Sequence, residues 1–254
     1  MNRRFLACWI LFVASGGVLS AQRGAPPIGI MGVEPLEFGE VVRDAPFTAE
    51  ATTEMTQELR DGNRIEQRST VTIARDSAGR TRREQSLPSI GPVVLDPNVR
   101  MITISDPRQR TLYLIDPQRR TVSRSTAPSG PPRPPRSPGD PAPGGRPLPP
   151  PQVSSQGLGN RQILGVRAEG TRQTMTIPPG VFGNVGAIDV VTERWYSPEL
   201  KIVLESRRTD PRTGDVTYRV TQLGRGEPDA ALFEIPSDYT VVDRPPRPFG
   251  PPPR

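Results

Sequence analysis

The chain has 254 residues, a formal net charge of +6, no histidine and a single cysteine, Cys8. Without histidine, Ser–His systems and histidine bases are excluded, and the absence of further thiols also excludes the common zinc sites. The arginines alternate with carboxylates instead of forming a basic patch, as at Arg64, Glu66 and Arg68. The charge pattern therefore indicates a mixed-charge surface and predicts no nucleic-acid partner.

Residues 1–21 have the three parts of a secretory signal peptide. Arg3 and Arg4 form a basic start, an apolar run follows, and Ala21 ends a small-residue cleavage site. The apolar run is shorter than the about 20 residues that a spanning helix needs, so no transmembrane span is expected after cleavage. Cys8 leaves with the signal. We therefore predict an exported protein, periplasmic or secreted, that uses no cofactor.

A lead segment at residues 22–45 precedes the first half of a β-domain, predicted at 46–125. From Phe47 onward apolar and polar residues alternate with period two, which is typical of a strand that is wet on one side. The pair Asp61-Gly62 then predicts a hairpin turn, because glycine accepts a positive φ. Two further strands complete an antiparallel meander.

Three Asp-Pro pairs predict turns between short strands later in the chain. Asp106 and Asp116 begin two of these pairs, and Asp210 begins the third. Aspartate at the first turn position bonds the backbone ahead of it, and proline fixes φ at the second position. We therefore expect turn aspartates here and not calcium ligands.

Residues 126–155 change character and are predicted to form a disordered, proline-rich loop, because proline is excluded from sheet ladders and little apolar surface is available. The second half of the β-domain is predicted at 156–242, followed by a disordered tail at 243–254. In that half, a strand pair is expected around Gly170. Asp229 is expected to cap one helical turn ahead of the closing strand.

Several segments carry a resemblance to a known superfamily. They are Leu112 to Pro117, Ile163 to Val166, Trp195 to Leu200, Asp215 to Arg219 and Phe233 to Tyr239. These segments resemble the periplasmic lipoprotein-carrier superfamily, whose members carry lipoproteins or sense them for a sigma-factor regulator. The whole chain is also similar to uncharacterised exported proteins of soil bacteria. The resemblance to the carriers implies an antiparallel half-barrel with an apolar concave face.

We therefore predict a mainly β fold: an antiparallel meander sheet, curved into a half-barrel, with few helices and a disordered proline-rich insertion. The side chains expected on its apolar face are the candidate ligand-binding residues. They are Phe47, Met55, Ile65, Val71, Ile73, Leu114, Trp195, Ile202 and Tyr218. Such a face must be covered by something, either another layer of the protein or a bound partner.

Two functional hypotheses follow, depending on whether a bound partner or another layer of the protein covers the apolar face. In the first, the protein is a non-enzymatic β-domain of the cell envelope that binds a lipid, a lipoprotein or another apolar partner. In the second, it is an envelope structural or interaction module with a filled core and no ligand. Carboxylate catalysis is a third hypothesis, because Glu50, Glu54 and Glu58 are spaced along the first strand. We place it last, since they lie on the polar side of that strand, where carboxylates are usually just solvated. The sequence does not predict the oligomeric state.

Overall fold

A computed structural model describes residues 41–86, 89–90, 93–94, 100–126 and 150–243. The predicted signal peptide, most of the lead segment, most of the proline-rich loop and nearly all of the tail lie outside these residues. In the described part of the chain, no helix is long and apolar enough to cross a membrane.

The described residues form fourteen strands and one short 3₁₀ helix. The strands are β1 (Phe47–Glu58), β2 (Arg64–Arg75), β3 (Thr81–Ser86), β4 (Ser89–Ile90), β5 (Val93–Val94), β6 (Arg100–Asp106), β7 (Thr111–Asp116), β8 (Thr121–Thr126), β9 (Gln152–Ile163), β10 (Val166–Ile177), β11 (Ile188–Ser197), β12 (Ile202–Asp210), β13 (Gly214–Arg225) and β14 (Thr240–Asp243). The 3₁₀ helix spans Ala230–Phe233.

Twelve strands form one sheet in the order β14-β8-β7-β6-β3-β2-β1-β13-β12-β11-β10-β9, and β4 pairs with β5 separately. All neighbours in the large sheet are antiparallel except β14, which runs parallel to β8. The outermost strands β14 and β9 do not pair with each other, so the sheet is open and does not close into a barrel. The predicted mainly β, antiparallel meander is therefore confirmed.

The three Asp-Pro turns form as the sequence predicted. Asp106 accepts hydrogen bonds from the backbone N–H groups two and three residues ahead, at 2.9 and 3.0 Å. Asp116 accepts the equivalent pair at 3.1 Å, and Asp210 accepts the N–H group two residues ahead at 3.0 Å. These bonds satisfy turn N–H groups that the ladders leave unpaired.

The prediction of a strand pair around Gly170 is wrong. β10 runs without interruption through Gly170, and the turn of the β9–β10 hairpin lies at Leu164 and Gly165, which have φ of 50° and 75°. Two successive residues with positive φ are the geometry of a tight hairpin turn. β9 begins at Gln152, so residues 152–155 belong to a strand and not to the proline-rich loop.

The end of the domain differs in part from the expectation. The helical turn forms, and the carboxylate of Asp229 accepts the N–H of Ala231 at 2.9 Å. The closing strand, however, is only β14, because Phe233 is buried in the core and Ile235 and Tyr239 pack against the same cluster. The backbone of this segment passes over the outer cluster and joins the sheet only at Thr240.

The large sheet has an apolar cluster on each of its faces. Residues directly opposite each other in an antiparallel pair share a face, so the face that carries Phe47, Val71 and Tyr218 can be followed across the sheet; we call it the inner face. Its cluster consists of Phe47, Ala49, Ala51, Val71, Ile73, Val166, Ala168, Leu200, Ile202, Leu204, Tyr218 and Val220. The second cluster, on the outer face, consists of Ala74, Ile102, Ile104, Ile115, Val122 and Phe233.

The sheet curls toward its inner face. Arg75 of β2 donates a hydrogen bond through Nη2 to the carbonyl oxygen of Leu200, in the β11–β12 turn. Because β1 and β13 lie between β2 and β12, this turn would be three strand spacings, about 14 Å, from β2 in a flat sheet. The hydrogen bond therefore requires a strong curvature, as the half-barrel prediction implies.

The segment that follows β13 closes the outer cluster. The side chain of Glu227 accepts hydrogen bonds from Ser77, the shortest at 2.6 Å, and the carbonyl of Leu232 accepts one from Arg82 at 3.2 Å. The guanidinium of Arg80 lies over the ring of Phe233, 4.8 Å from its centroid. These contacts hold the 3₁₀ helix against the outer face of β3 and β6.

Candidate binding face of the sheet

The structure brings the predicted apolar residues to one region of the fold but buries most of them. Eight belong to the inner face or its cluster, and Trp195 packs against that cluster from β11. Five of the nine are at most 6% exposed: Phe47, Val71, Ile73, Ile202 and Tyr218. These five side chains form the core, so a ligand cannot contact them directly.

The accessible members of the predicted set lie apart from one another. Met55 is half-buried and Ile65 is 38% exposed, and both lie near the tip of the β1–β2 hairpin. Leu114 is 37% exposed on β7. The nine residues therefore do not line one open cavity.

A different group of apolar side chains is accessible on the inner face. The register continues this face from Ile73 through Arg83 and Thr103 to Leu114, and it places Met101 and Leu112 beside them. Met101 and Leu112 are half-buried. We call Met101, Leu112 and Leu114 the inner patch.

The inner patch lies directly behind the closed outer cluster. On β6 and β7, Ile104 and Ile115 point to the outer face, where Phe233 covers them, whereas the inner patch points the other way. Both faces of these strands are therefore apolar, but only one is fully covered by described residues. Sequence reasoning missed Met101 and Leu112, although apolar residues on both faces of β6 and β7 were the available signal.

Two arginines of the inner face lose solvent contact, Arg75 almost completely and Arg83 in part. Arg75 donates to the carbonyl of Ala45 at 2.7 and 3.0 Å as well as to Leu200, and burial lowers its pKa to about 10 while Tyr196 acts in the opposite direction. Burial likewise lowers the pKa of Arg83 to about 10, and Tyr218 opposes this change. Both guanidinium groups stay protonated at neutral pH.

Arg75 and Arg83 differ in their hydrogen bonds. Arg75 has carbonyl acceptors, whereas Nη2 of Arg83 is buried and has no hydrogen-bond partner among the described residues. Unpaired N–H groups of a buried cation are costly, because water no longer solvates them. Arg83 therefore carries an unused hydrogen-bond donor on the inner face.

The neighbouring charges on β1, β2, β3 and β6 are held on the outer face. Arg68 lies 3.5 Å from Glu54, and Glu84 is contacted by Arg82 at 3.0 Å and by Arg100 at 2.8 Å. Burial acts to raise the pKa of Glu84, but the hydrogen bonds from the two arginines outweigh it and leave the pKa below its usual value. Glu54, one of the glutamates considered for catalysis, is thus paired on the outer face.

Metal chemistry has no visible site in the described ranges. There, no group of three or more His, Cys, Asp or Glu side chains could hold a metal ion. The buried Asp106 and Asp210, both Asp-Pro residues, instead accept hydrogen bonds from their own turns.

A cleft at the rim of the sheet is small. It is lined by Asp44, Ala45, Pro46, Glu199, Leu200, Arg225 and Gly226 and has a volume of about 210 Å³. Ligand pockets usually hold about 300–1,000 Å³. The ion pair between Glu199 and Arg225 also occupies this site. The inner patch is therefore the better candidate for an apolar ligand.

Trp195, at the edge of the inner cluster, also contacts strand β9. The guanidinium of Arg161 lies over its ring, 3.9 Å from the centroid, and also contacts Glu205 at 2.5 Å. The ring packs against the backbone of Gly170 on β10. Trp195 is therefore held by contacts within the sheet, and its face toward Arg161 is occupied.

Comparison with known proteins finds likenesses among solved structures only. No family model matches the chain, and no curated protein matches it. An uncharacterized conserved protein of Thermus thermophilus is 15% identical with a TM-score of 0.38, over 79% of this chain and 91% of that one. MucB of Pseudomonas aeruginosa, in its complex with MucA, is 15% identical with a TM-score of 0.41, over 79% of this chain and 59% of that one.

A LolA superfamily protein of Nitrosomonas europaea is 9% identical with a TM-score of 0.28, over 77% of this chain and 93% of that one. This last protein belongs by name to the lipoprotein-carrier superfamily that the sequence segments resemble.

Proposed function

We propose that the protein is an exported, non-enzymatic protein of the cell envelope that binds a lipid, or the lipid part of a lipidated partner, on the inner face of its sheet. The observation that supports this proposal is the inner patch. Met101, Leu112 and Leu114 remain accessible although the opposite face of the same strands is closed by Phe233. Apolar surface of this kind gains about 25 cal/mol for each Å² that a ligand removes from water.

A second candidate function is an envelope interaction module without a ligand. It is favoured by the burial of Phe47, Val71 and Ile202, which fill the inner face near the rim with protein atoms. In this case the accessible Leu114 would be an ordinary exposed residue.

Two experiments separate the candidates. Native mass spectrometry of protein purified from its own envelope fraction should detect a co-purifying lipid, and a fluorescent fatty acid should bind to the delipidated protein. Leu114→Asp should weaken that binding, because a carboxylate would enter the apolar contact. Val153→Asp is the matched control, since Val153 is 58% exposed on β9, outside the inner patch.

The outcomes are distinct. Binding that is weakened by Leu114→Asp and unchanged by Val153→Asp supports the proposal. Absence of both co-purified lipid and fatty-acid binding would reject it in favour of the interaction module.

A further inference from the structure

Arg83 places a positive charge on the inner face of the sheet. Its neighbours in sequence, Arg82 and Glu84, point outward and pair with each other at 3.0 Å. Of these three residues, only Arg83 points inward, between Ile73 of β2 and Thr103 of β6. The alternation of the strand thus separates one guanidinium from the paired charges of the outer face.

Arg83 has no charge partner among the described residues. Arg75 is satisfied by carbonyl oxygens, and Arg208 contacts Asp210 at 3.2 Å. Arg83 forms no ion pair with the described residues, and its Nη2 donates no hydrogen bond to them. The inner face offers neutral groups nearby, Gln85 on β3 itself and Thr103 on the adjacent β6. A fixed cation with a buried, unused donor favours a ligand that brings a negative charge.

The inner patch begins beside this cation. Thr103 separates Arg83 from Leu114 across the register, so the two residues are two strand spacings apart, about 10 Å. Met101 lies on the same face of β6, close to Gln85. A charged site and an accessible apolar surface are therefore continuous on one face.

We propose that the inner face binds an anionic amphiphile, whose carboxylate or phosphate head pairs with Arg83 and whose hydrocarbon chain covers Met101, Leu112 and Leu114. This inference rests on the proposed function and narrows its ligand class. A guanidinium presents parallel N–H donors that match the oxygens of a carboxylate or phosphate, whereas a neutral head group cannot form the charge-assisted pair.

The test compares head groups on one chain length. Calorimetric titration of the delipidated full protein should show that dodecanoate and dodecyl phosphate bind about ten-fold or more tightly than dodecanol, as a charge-assisted hydrogen bond would give. Inorganic phosphate and acetate should bind far more weakly than the two amphiphiles. If the free anions bind as tightly as the amphiphiles, the hydrocarbon chain plays no part and the inference is overturned.

Variants assign the preference to Arg83. Arg83→Gln should reduce the affinity for dodecanoate to that for dodecanol, and Arg83→Lys should retain part of the difference. Arg68→Gln is the matched control, because Arg68 lies on the outer face with a side chain that is 66% exposed. If Arg83→Gln fails to fold, the head-group comparison on the natural protein and on Arg83→Lys still decides the question.

Failure of the inference and failure of the proposed function give different results. Equal affinity for dodecanoate and dodecanol, unchanged by Arg83→Gln, would overturn the role of Arg83 and leave lipid binding intact. No binding of any of these amphiphiles would overturn both.

Discussion

The six-membered ring of Trp195 lies against the backbone of Gly170, so closely that a Cβ atom at Gly170 would be 2.7 Å from two ring carbons. The two residues face each other in the register of β10 and β11. Gly170 has no positive φ, so its importance is the absence of a side chain and not its backbone conformation. The glycine lets the indole pack flat between β9 and the core.

Gly170→Ala should destabilise the protein by about 1–3 kcal/mol, since the added methyl group must displace the Trp195 ring. Urea unfolding followed by tryptophan fluorescence measures the change. Gly157→Ala is the matched control, because a Cβ at Gly157 meets nothing within 4 Å. Equal stability of the two variants would contradict the proposed packing.

Leu204→Ala should reduce the free energy of unfolding by about 2–5 kcal/mol, because Leu204 is fully buried in the inner cluster and its truncation leaves a cavity. Leu59→Ala, at a position that is 37% exposed, should stay within about 0.5 kcal/mol of the natural protein. Thermal and urea unfolding both provide the measurement. A small effect of Leu204→Ala would show that the inner face is not a packed core.

Phe233→Ala should destabilise the protein by about 3–5 kcal/mol and loosen the cover of the outer cluster. Because the following segment leads to β14, amide hydrogen exchange should accelerate in β14 and β8. Leu232→Ala changes the neighbouring residue of the same helix, which is 36% exposed, and should leave exchange unaltered. Uniform acceleration across all strands would argue against a local cover.

Asp210 should contribute to acid sensitivity. Burial acts to raise the pKa of its carboxyl, but hydrogen bonds from Arg212 and Arg208 outweigh it and leave the pKa below the usual value. Since the folded-state pKa is the lower one, the stabilisation is present above the unfolded value of about 4 and is lost as the pH falls through the folded-state pKa.

Asp210→Asn should therefore lower stability at pH 7 by about 1–3 kcal/mol and flatten the decline of stability below about pH 4. Unfolding midpoints measured at several pH values give both quantities. Asp61→Asn in the exposed β1–β2 turn serves as the control. An unchanged acid profile for Asp210→Asn would show that other carboxyls dominate.

The strands of the first half could be predicted because local pattern and turn chemistry agree there. Phe47 begins a strict alternation, and Gly62 has the positive φ, 82°, that the Asp-Gly turn requires. The turn of the β9–β10 hairpin could not be identified in the same way, because glycines occur at positions 157, 159, 165 and 170. Gly170 lies within a strand because the ladders of β10 with β9 and β11 pass through it, and its β11 partner, Trp195, is distant in sequence.

The candidate site was predicted less well than the fold. Alternation of apolar and polar residues shows which side chains share a face of the sheet, but not which of them other parts of the protein bury. Phe47 and Leu114 share the inner face, yet Phe47 is 1% exposed and Leu114 is 37% exposed. The difference depends on curvature, which long-range contacts such as that of Arg75 with Leu200 maintain. Arg83 was hidden in a run of mixed charge, although alternation alone separates it from Arg82 and Glu84.

The open sheet leaves β9 as a margin twelve residues long. A long, regular margin would invite a second copy to add its own strand and begin an aggregate. Gly159, with φ of 83°, and the register shift next to Gly170 interrupt that regularity. The irregularity beside the glycine that contacts Trp195 thus makes this margin a poor template for self-association.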